Sequence, residues 1–281
     1  MNNFKKIGCL SILFYITTLN AQGITGQAQI TDPETGDQMT VNYVEKEGYA
    51  VIEGDIIIGT IDEIKRQGAV VNSSLGSRWP NGILPYVINE KMPNKNRTYI
   101  HNAITEIESK TNVRFVLVTA ANKSKYKDYI EYMPSVSTCA SYVGKIGGRQ
   151  TISLAPGCYT GASIHETSHA LGFWHEQGRA DRDSYVRIVW ANISAGTEGN
   201  FAIIKKGQLI GSYDYASIMH YGPKAFSKNG KDTIIPLQSG AKIGQRDGLS
   251  VKDIAAMNTM YPKKATDDAT QPAAIALDQN N

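Results

Sequence analysis

Three of the chain's five histidines fall in one stretch, His165-Glu166-Thr167-Ser168-His169-Ala170-Leu171-Gly172-Phe173-Trp174-His175-Glu176. A spacing of four places His165 and His169 one turn apart on one helix face, so both imidazoles reach a single cation with Glu166 beside it. Gly172 permits the left-handed backbone of a sharp helix exit, which can return His175 as a third ligand. Three neutral nitrogens leave one corner of a zinc tetrahedron open to water, the arrangement of a catalytic rather than a structural ion. Such an ion lowers the pKa of bound water to about 7 and polarises a carbonyl. Glu166, which holds no metal, is placed to take the water's proton and pass it to a leaving amine. A bare HExxH pattern arises by chance; the spacing that adds Gly172 and His175 is far more specific.

The elements that must position these residues follow from hydrophobic periodicity. The zinc helix is expected over about 160–171, with Thr160 as N-cap. Residues 97–110 carry Ile100, Ala103, Ile104 and Ile107 at helical spacing, leaving His101 off the apolar stripe as a surface residue. Residues 83–88, 113–118 and 129–133 read as strands; Pro85 argues that the first lies at an edge or strand start. Residues 151–154, just before Pro156-Gly157, read as a strand near a sheet edge, where an extended peptide could add as a further strand. After His175, glycines punctuate a loop-rich half, broken by a helix at 250–261 that Ser250 caps and Pro262 ends.

Composition narrows the class. Of the 281 residues 41% are hydrophobic and 20% charged, as in an ordinary globular protein, and the net charge of +3 is too weak and scattered to argue for nucleic acid. Lys5 and Lys6 precede a short apolar run at 7–16 and a more polar end at 17–21, predicting a signal peptide cut after Ala21, though Leu19 is large for its position. A lipid-anchored reading through Cys9 is weaker, because the apolar run follows that cysteine. No later segment reaches the ~20 apolar residues of a membrane helix. Removing the signal leaves Cys139 and Cys158, an even pair in an exported protein, and these are expected to be joined. Residues 22–76 have their own character: 26–40 is polar and turn-rich, and 49–61 holds apolar runs around Glu53-Gly54-Asp55. An exported protease needs restraint before release, and a carboxylate such as Asp55, presented on a glycine turn, could occupy the open zinc position. The alternative is an aspartate that merely closes a turn. Residues 263–281 are poor in large apolar groups and are expected to be a disordered tail.

Residues 78–262 resemble the astacin family of zinc metalloendopeptidases within the metzincin clan. The likeness is carried by the zinc motif, by Phe173-Trp174-His175-Glu176-Gln177 with Arg179-Ala180-Asp181-Arg182-Asp183, by Asn200-Phe201 and Tyr213-Asp214-Tyr215, by Ser217-Ile218-Met219-His220-Tyr221, and by Ile243-Gly244-Gln245-Arg246. Glu53-Gly54-Asp55-Ile56 is similar to the family's inhibitory aspartate motif. The form resembled is bacterial-type, a catalytic domain with a pro-segment. The resemblance implies an α+β, zincin-like catalytic domain: a twisted mixed sheet with the active-site helix in its N-terminal half, and a loop-rich C-terminal half with a late helix. It divides the chain into a signal peptide at 1–21, an inhibitory pro-segment at 22–76, a protease domain at 77–262 and the tail.

The resemblance implies one zinc ion held by His165, His169 and His175, with Glu166 acting on the water. Tyr221 would be a fifth ligand that swings away to stabilise the oxyanion, and Met219 would form the Met-turn beneath the metal. His220 would be structural, and Glu176 would receive the new N-terminal ammonium after activation. Arg246 stands where related enzymes carry a basic residue near the pocket just past the scissile bond, implying an acidic preference there; its alternative is a surface arginine in an ion pair. The family usually has a second disulfide, whose partners would fall near Asn112 and just after Tyr261, and both cysteines are missing together. The expected protein is therefore a secreted, extracellular, monomeric zymogen acting on protein or peptide substrates, with no nucleic acid or membrane span, cut by another protease or by itself between Ala69 and Arg78. A catalytically silent zinc-stabilised binding protein is the alternative class, disfavoured by intact Glu166 and Tyr221. A metallopeptidase using Glu as third ligand is disfavoured by His175.

Overall fold

A computed structural model describes residues 25–31, 38–66, 70–71, 78–204 and 208–263. The expected signal peptide and all but Lys263 of the expected tail lie outside the described residues. The N-terminal segment is more ordered than its composition suggests. Residues 26–40 are not simply turn-rich, for they contain β1 (Thr25–Thr31) and the start of β2 (Gln38–Lys46), which pair antiparallel. Strands β3 (Tyr49–Ile52) and β4 (Ile56–Thr60) continue the meander, followed by α1 (Ile61–Arg66) and β5 (Val70–Val71), which lies parallel to β1. The two inner turns hold Glu47-Gly48 (φ 50° and 83°) and Glu53-Gly54 (φ 50° and 83°). Positive φ at both central residues matches the strand twist of a tight hairpin. Apolar side chains of this segment, including Ile30, Ile52, Ile56, Ile58, Ile61 and Ile64, form their own core, against which Val143 and Trp174 of the later chain also pack.

The rest of the chain begins with a parallel unit, in which β6 (Ile83–Ile88) is joined through α2 (Asn94–Lys110) to β7 (Arg114–Leu117). Parallel neighbours need a crossover, and α2 supplies it while burying Ile100, Ala103, Ile104 and Ile107. His101 is exposed, as expected. Then come β8 (Tyr129–Pro134), β9 (Cys139–Ser141), β10 (Arg149–Leu154) and α3 (Thr160–Ala170). Helices α2 and α3 pack on one another over this part of the sheet. Trp79, Leu84, Tyr86, Ile130, Tyr132, Ile152, Leu154, Ile164 and Leu171 join them in the main core.

Both parts meet in one ten-stranded mixed sheet of order β5-β1-β2-β3-β4-β9-β10-β8-β6-β7. The junction is a single parallel pairing, Ile56 opposite Ser141. Two expectations change here. Strand β10 is interior, because β9 pairs along its outer side; the short antiparallel β9 is the strand that faces the N-terminal segment. Strand β6 is interior as well, and Pro85 is accommodated because pairing with β8 begins only at Tyr86.

The C-terminal half is loop-rich, with a two-stranded ribbon of β11 (Val186–Ile188) and β12 (Ile234–Pro236) and the late helix α4 (Val251–Met260). Ser250 caps α4 in a reciprocal capping box with Asp253. The mixed sheet, α3 and the late helix make the fold the α+β, zincin-like arrangement that the resemblance implies.

Candidate metal centre and active site

Helix α3 carries His165, Glu166 and His169 on a fully buried stretch. Its N-cap is Tyr159 with no side-chain cap, so Thr160 is the first helical residue rather than the cap. At the other end Gly172 takes φ 103°. Gly172 N donates to His169 O at 2.7 Å and Phe173 N to Ser168 O at 3.0 Å. This paired closure is the Schellman motif, and it turns the chain so that His175 comes back to the helix. The disulfide Cys139–Cys158, with an S–S distance of 2.05 Å, ties β9 to the approach to α3. That pairing is as expected.

Each imidazole is oriented through its Nδ1. His165 Nδ1 donates to Ile218 O at 2.9 Å and His169 Nδ1 to Phe173 O at 2.7 Å. His175 Nδ1 lies 2.7 Å from Glu53 Oε2. A proton fixed on Nδ1 leaves the Nε2 lone pair free for a metal, and such outer partners set both tautomer and ring direction. The Nε2 atoms converge on Asp55: its Oδ2 is 3.2 Å from His165, and its Oδ1 is 3.7 Å from His169 and 3.3 Å from His175. All four ligand atoms lie within 4.8 Å of one another. With Nδ1 carrying the proton, an Nε2 facing a carboxylate oxygen sets two acceptors against each other, which a shared metal ion or a second proton on the ring reconciles. His169 Nε2, His175 Nε2 and Asp55 Oδ1 are buried without any hydrogen-bond partner. Three imidazoles and one carboxylate suit zinc in type and number. A His-His-His group of this chain therefore fits one zinc ion, with Asp55 at the fourth corner.

Protonation follows the same geometry. Burial drives His165 down to about 4 and His169 well below its ordinary value, leaving both neutral. Burial would lower His175 too, but the Asp55 and Glu53 carboxylates outweigh it and raise it to about 9. A proton and a metal compete for that nitrogen. Glu166 is buried, and its Oε2 has no protein partner. Burial, and then the Asp55 charge, push its carboxyl well above the usual range, against Arg246 and Lys46.

The remaining expected residues fall around this centre. The Tyr221 ring lies tilted at 4.5 Å from the His175 ring, and its hydroxyl donates to Glu53 O. Met219 is buried in the main core, and its carbonyl accepts from Glu176 N at 3.1 Å. His220 lies outside the ligand group, with Nε2 at 2.7 Å from the Tyr213 hydroxyl and Nδ1 at 2.8 Å from Tyr221 O. Glu176 accepts from Asp214 N at 2.7 Å, and Arg179 Nε stands 3.6 Å away. Burial raises the Glu176 carboxyl to about 7 despite Arg179. Arg246 donates through Nη1 to His220 O and Gln245 O and borders a cavity of about 270 Å³ together with Lys46, Asp55, His165, Glu166 and Ser137. Its backbone crosses α3 at Gly161, where a Cβ would sit 1.8 Å from Arg246 O.

Sequence reasoning misses Glu53. Its side chain orients a metal histidine and its carbonyl engages Tyr221, both from the residue two before Asp55. The Glu-Gly pair marks a hairpin turn there but not the contact with His175.

Comparison with known proteins agrees with this geometry. The profile of the Astacin peptidase family matches residues 71–262. Zinc metalloproteinase nas-4 of Caenorhabditis elegans is 41% identical over 218 residues, covering 74% of this chain and 68% of the relative. Zinc metalloproteinase nas-15 of the same animal is 45% identical over 187 residues, covering 65% of this chain but only 32% of the relative. The solved structure of High choriolytic enzyme 1, a hatching enzyme zinc-protease from Oryzias latipes, superposes with a TM-score of 0.60 at 40% identity over 66% of this chain and 93% of that one. The chain thus spans from about a third to about two thirds of the length of these two nematode relatives. All three are animal proteins, and they lend no support to the bacterial-type qualifier.

Proposed function

The chain belongs to the astacin family of zinc metalloendopeptidases, and we propose that it is an exported zymogen that, once cut between residues 69 and 78, hydrolyses internal peptide bonds of proteins. The observation that carries this reading is the convergence of three Nδ1-anchored histidines and the Asp55 carboxylate within 4.8 Å, with Glu166 buried beside them. Zinc, when bound there, supplies Lewis acidity to a water and to the scissile carbonyl. Glu166 takes the proton from the attacking water and delivers it to the leaving amine. Tyr221 donates its hydroxyl to the oxyanion, a role it can take up only when Glu53 O no longer accepts from it. Met219, buried in the main core, takes the Met-turn role beneath the metal position.

In the intact chain Asp55 takes the corner that water would need. Residues 22–76 then act as the inhibitory pro-segment and 77–262 as the protease domain. Glu176, raised by burial, receives the ammonium of the new N-terminus, so activation and cleavage are linked. Arg246, on the wall of the cavity, favours an acidic residue just past the scissile bond. A disulfide suits the oxidising compartment of a secreted protein. No described helix is long and apolar enough to cross a membrane. The substrates are proteins or peptides, the activator is a second protease or the enzyme itself, and the working form is a monomer.

The test compares intact and processed chain on an unfolded protein substrate. The processed chain should hydrolyse it, lose activity to a chelator and regain it with zinc, while the intact chain stays silent. Hydrolysis that survives chelation, or a fully active intact chain, would sink the reading. Cleavage profiles of wild type and Arg246→Ala decide the specificity claim, which an unchanged profile contradicts.

A further inference from the structure

The loop between β8 and β9 captures a carboxylate with groups that no step above uses. Glu47, in the turn between β2 and β3, points Oε1 at Ser135 Oγ (2.8 Å), Val136 N (3.1 Å), Ser137 N (3.0 Å) and Ser137 Oγ (3.2 Å). Four donors on one oxygen is a site built for an anion. Burial disfavours the charge, yet these bonds outweigh it and hold the Glu47 carboxyl below its usual range. All four donors belong to the part of the chain that remains after processing. The loop that carries them is also braced by bonds that do not involve Glu47. Ser135 N donates to Leu154 O at 3.2 Å, Ala155 N to Thr138 O at 3.0 Å and Thr138 N to Ser135 Oγ at 3.0 Å, and the next residue is the disulfide-bonded Cys139. The loop adjoins the catalytic cleft, for Ser137, Thr138 and Cys139 border the same cavity as His165, Glu166 and Arg246.

We propose that Ser135, Val136 and Ser137 form a carboxylate-binding subsite of the processed enzyme, filled by Glu47 in the intact chain and by an acidic side chain of the peptide substrate once the N-terminal segment has left. This rests on the peptidase reading above and names a substrate feature that the reading lacks. The position can be bounded. Ser141 N donates to Asp55 O at 2.9 Å, beside the metal corner. Ser137 lies four residues earlier, at most about 13 Å away if that backbone were fully extended. The acidic residue therefore sits about two to four positions from the scissile bond, on the Arg246 side of the cleft and beyond the residue that Arg246 meets.

The experiment uses processed enzyme and a peptide series in which a single Glu is moved along the positions on either side of the scissile bond, each with a Gln twin. At one position in the stated range the Glu peptide should exceed its twin in kcat/KM by roughly tenfold, as for a charged group taking several donors. Ser137→Ala should shrink that ratio, and Ser135→Ala with Ser137→Ala should shrink it further, the amides of Val136 and Ser137 keeping the remainder, while zinc content and thermal melting report an intact fold. Arg246→Ala should leave this ratio unchanged. A wild-type scan with no Glu preference in that range overturns the subsite without any variant, as does a preference undiminished by the double substitution. Failure to cleave any peptide overturns the peptidase reading and the subsite together; cleavage without the preference overturns the subsite alone.

Discussion

Glu166, buried, and Asp55, half-buried, are two carboxylates beside one metal position, and their neighbours give them different work. Asp55 faces three imidazole nitrogens, whereas Glu166 faces none and keeps one oxygen without a protein partner. Glu166→Gln is therefore expected to keep its zinc while losing a factor of roughly 10² to 10⁴ in turnover, read by metal analysis alongside peptide hydrolysis. Asp55→Ala in the intact chain should raise hydrolysis before any cut; a variant as silent as wild type would remove Asp55 from the latch. Much of this chemistry was legible, since HExxH with Gly172 and His175 states ligand number and helix exit together. Glu53 was not. Its role depends on a fold between residues 122 apart, Glu53 and His175, which no local spacing reports.

Among the elements, β9 and the closing of α4 matter most. Strand β9 has three residues, too few for β-branched periodicity to reveal, and its omission is what made β10 read as an edge. The Cys139–Cys158 bridge anchors it, so replacing both cysteines with Ala should cost roughly 3 kcal/mol, measured as a lowered denaturant midpoint in the intact chain. Where the family's second disulfide is missing, polar and aromatic contacts span the gap. Asn258 Oδ1 accepts from Asn112 N at 2.7 Å, and the buried Tyr261 donates to Leu171 O at 2.7 Å, linking α4 to the end of α2 and to the exit of α3. Asn258→Ala is expected to cost about 1 kcal/mol or slightly more, because the Asn112 N–H is left without that acceptor; thermal melting checks it. The capping box at Ser250 was readable because it is local. The Glu47-Gly48 and Glu53-Gly54 hairpins carried a weaker mark, a glycine after a glutamate, and the apolar runs around the second were visible without the strands they form.

At the scale of the whole molecule, the N-terminal segment extends the catalytic sheet through one strand pairing, and apolar packing on Val143, Trp174 and Ala140 joins three carboxylates in holding it. Asp55 meets the metal position, Glu53 the His175 ring and Glu47 the loop before β9. Glu47 has a lowered pKa, so its contribution is full above the ordinary carboxyl value of 4.5 and is lost as pH falls through the lowered value. The stability gap between the intact wild type and Glu47→Gln should accordingly be widest above pH 4.5 and close in more acid solution, as urea midpoints across that range would report. The central claim is that Asp55 closes a zinc site which Glu166 would otherwise run. Its most direct test measures zinc content and protein hydrolysis side by side for the intact chain, the processed chain and processed Glu166→Gln. One zinc per chain in all three, with hydrolysis only in the processed wild type, is the expected result; a zinc-loaded processed wild type that hydrolyses nothing, or a Glu166→Gln chain that has lost its metal, would contradict it.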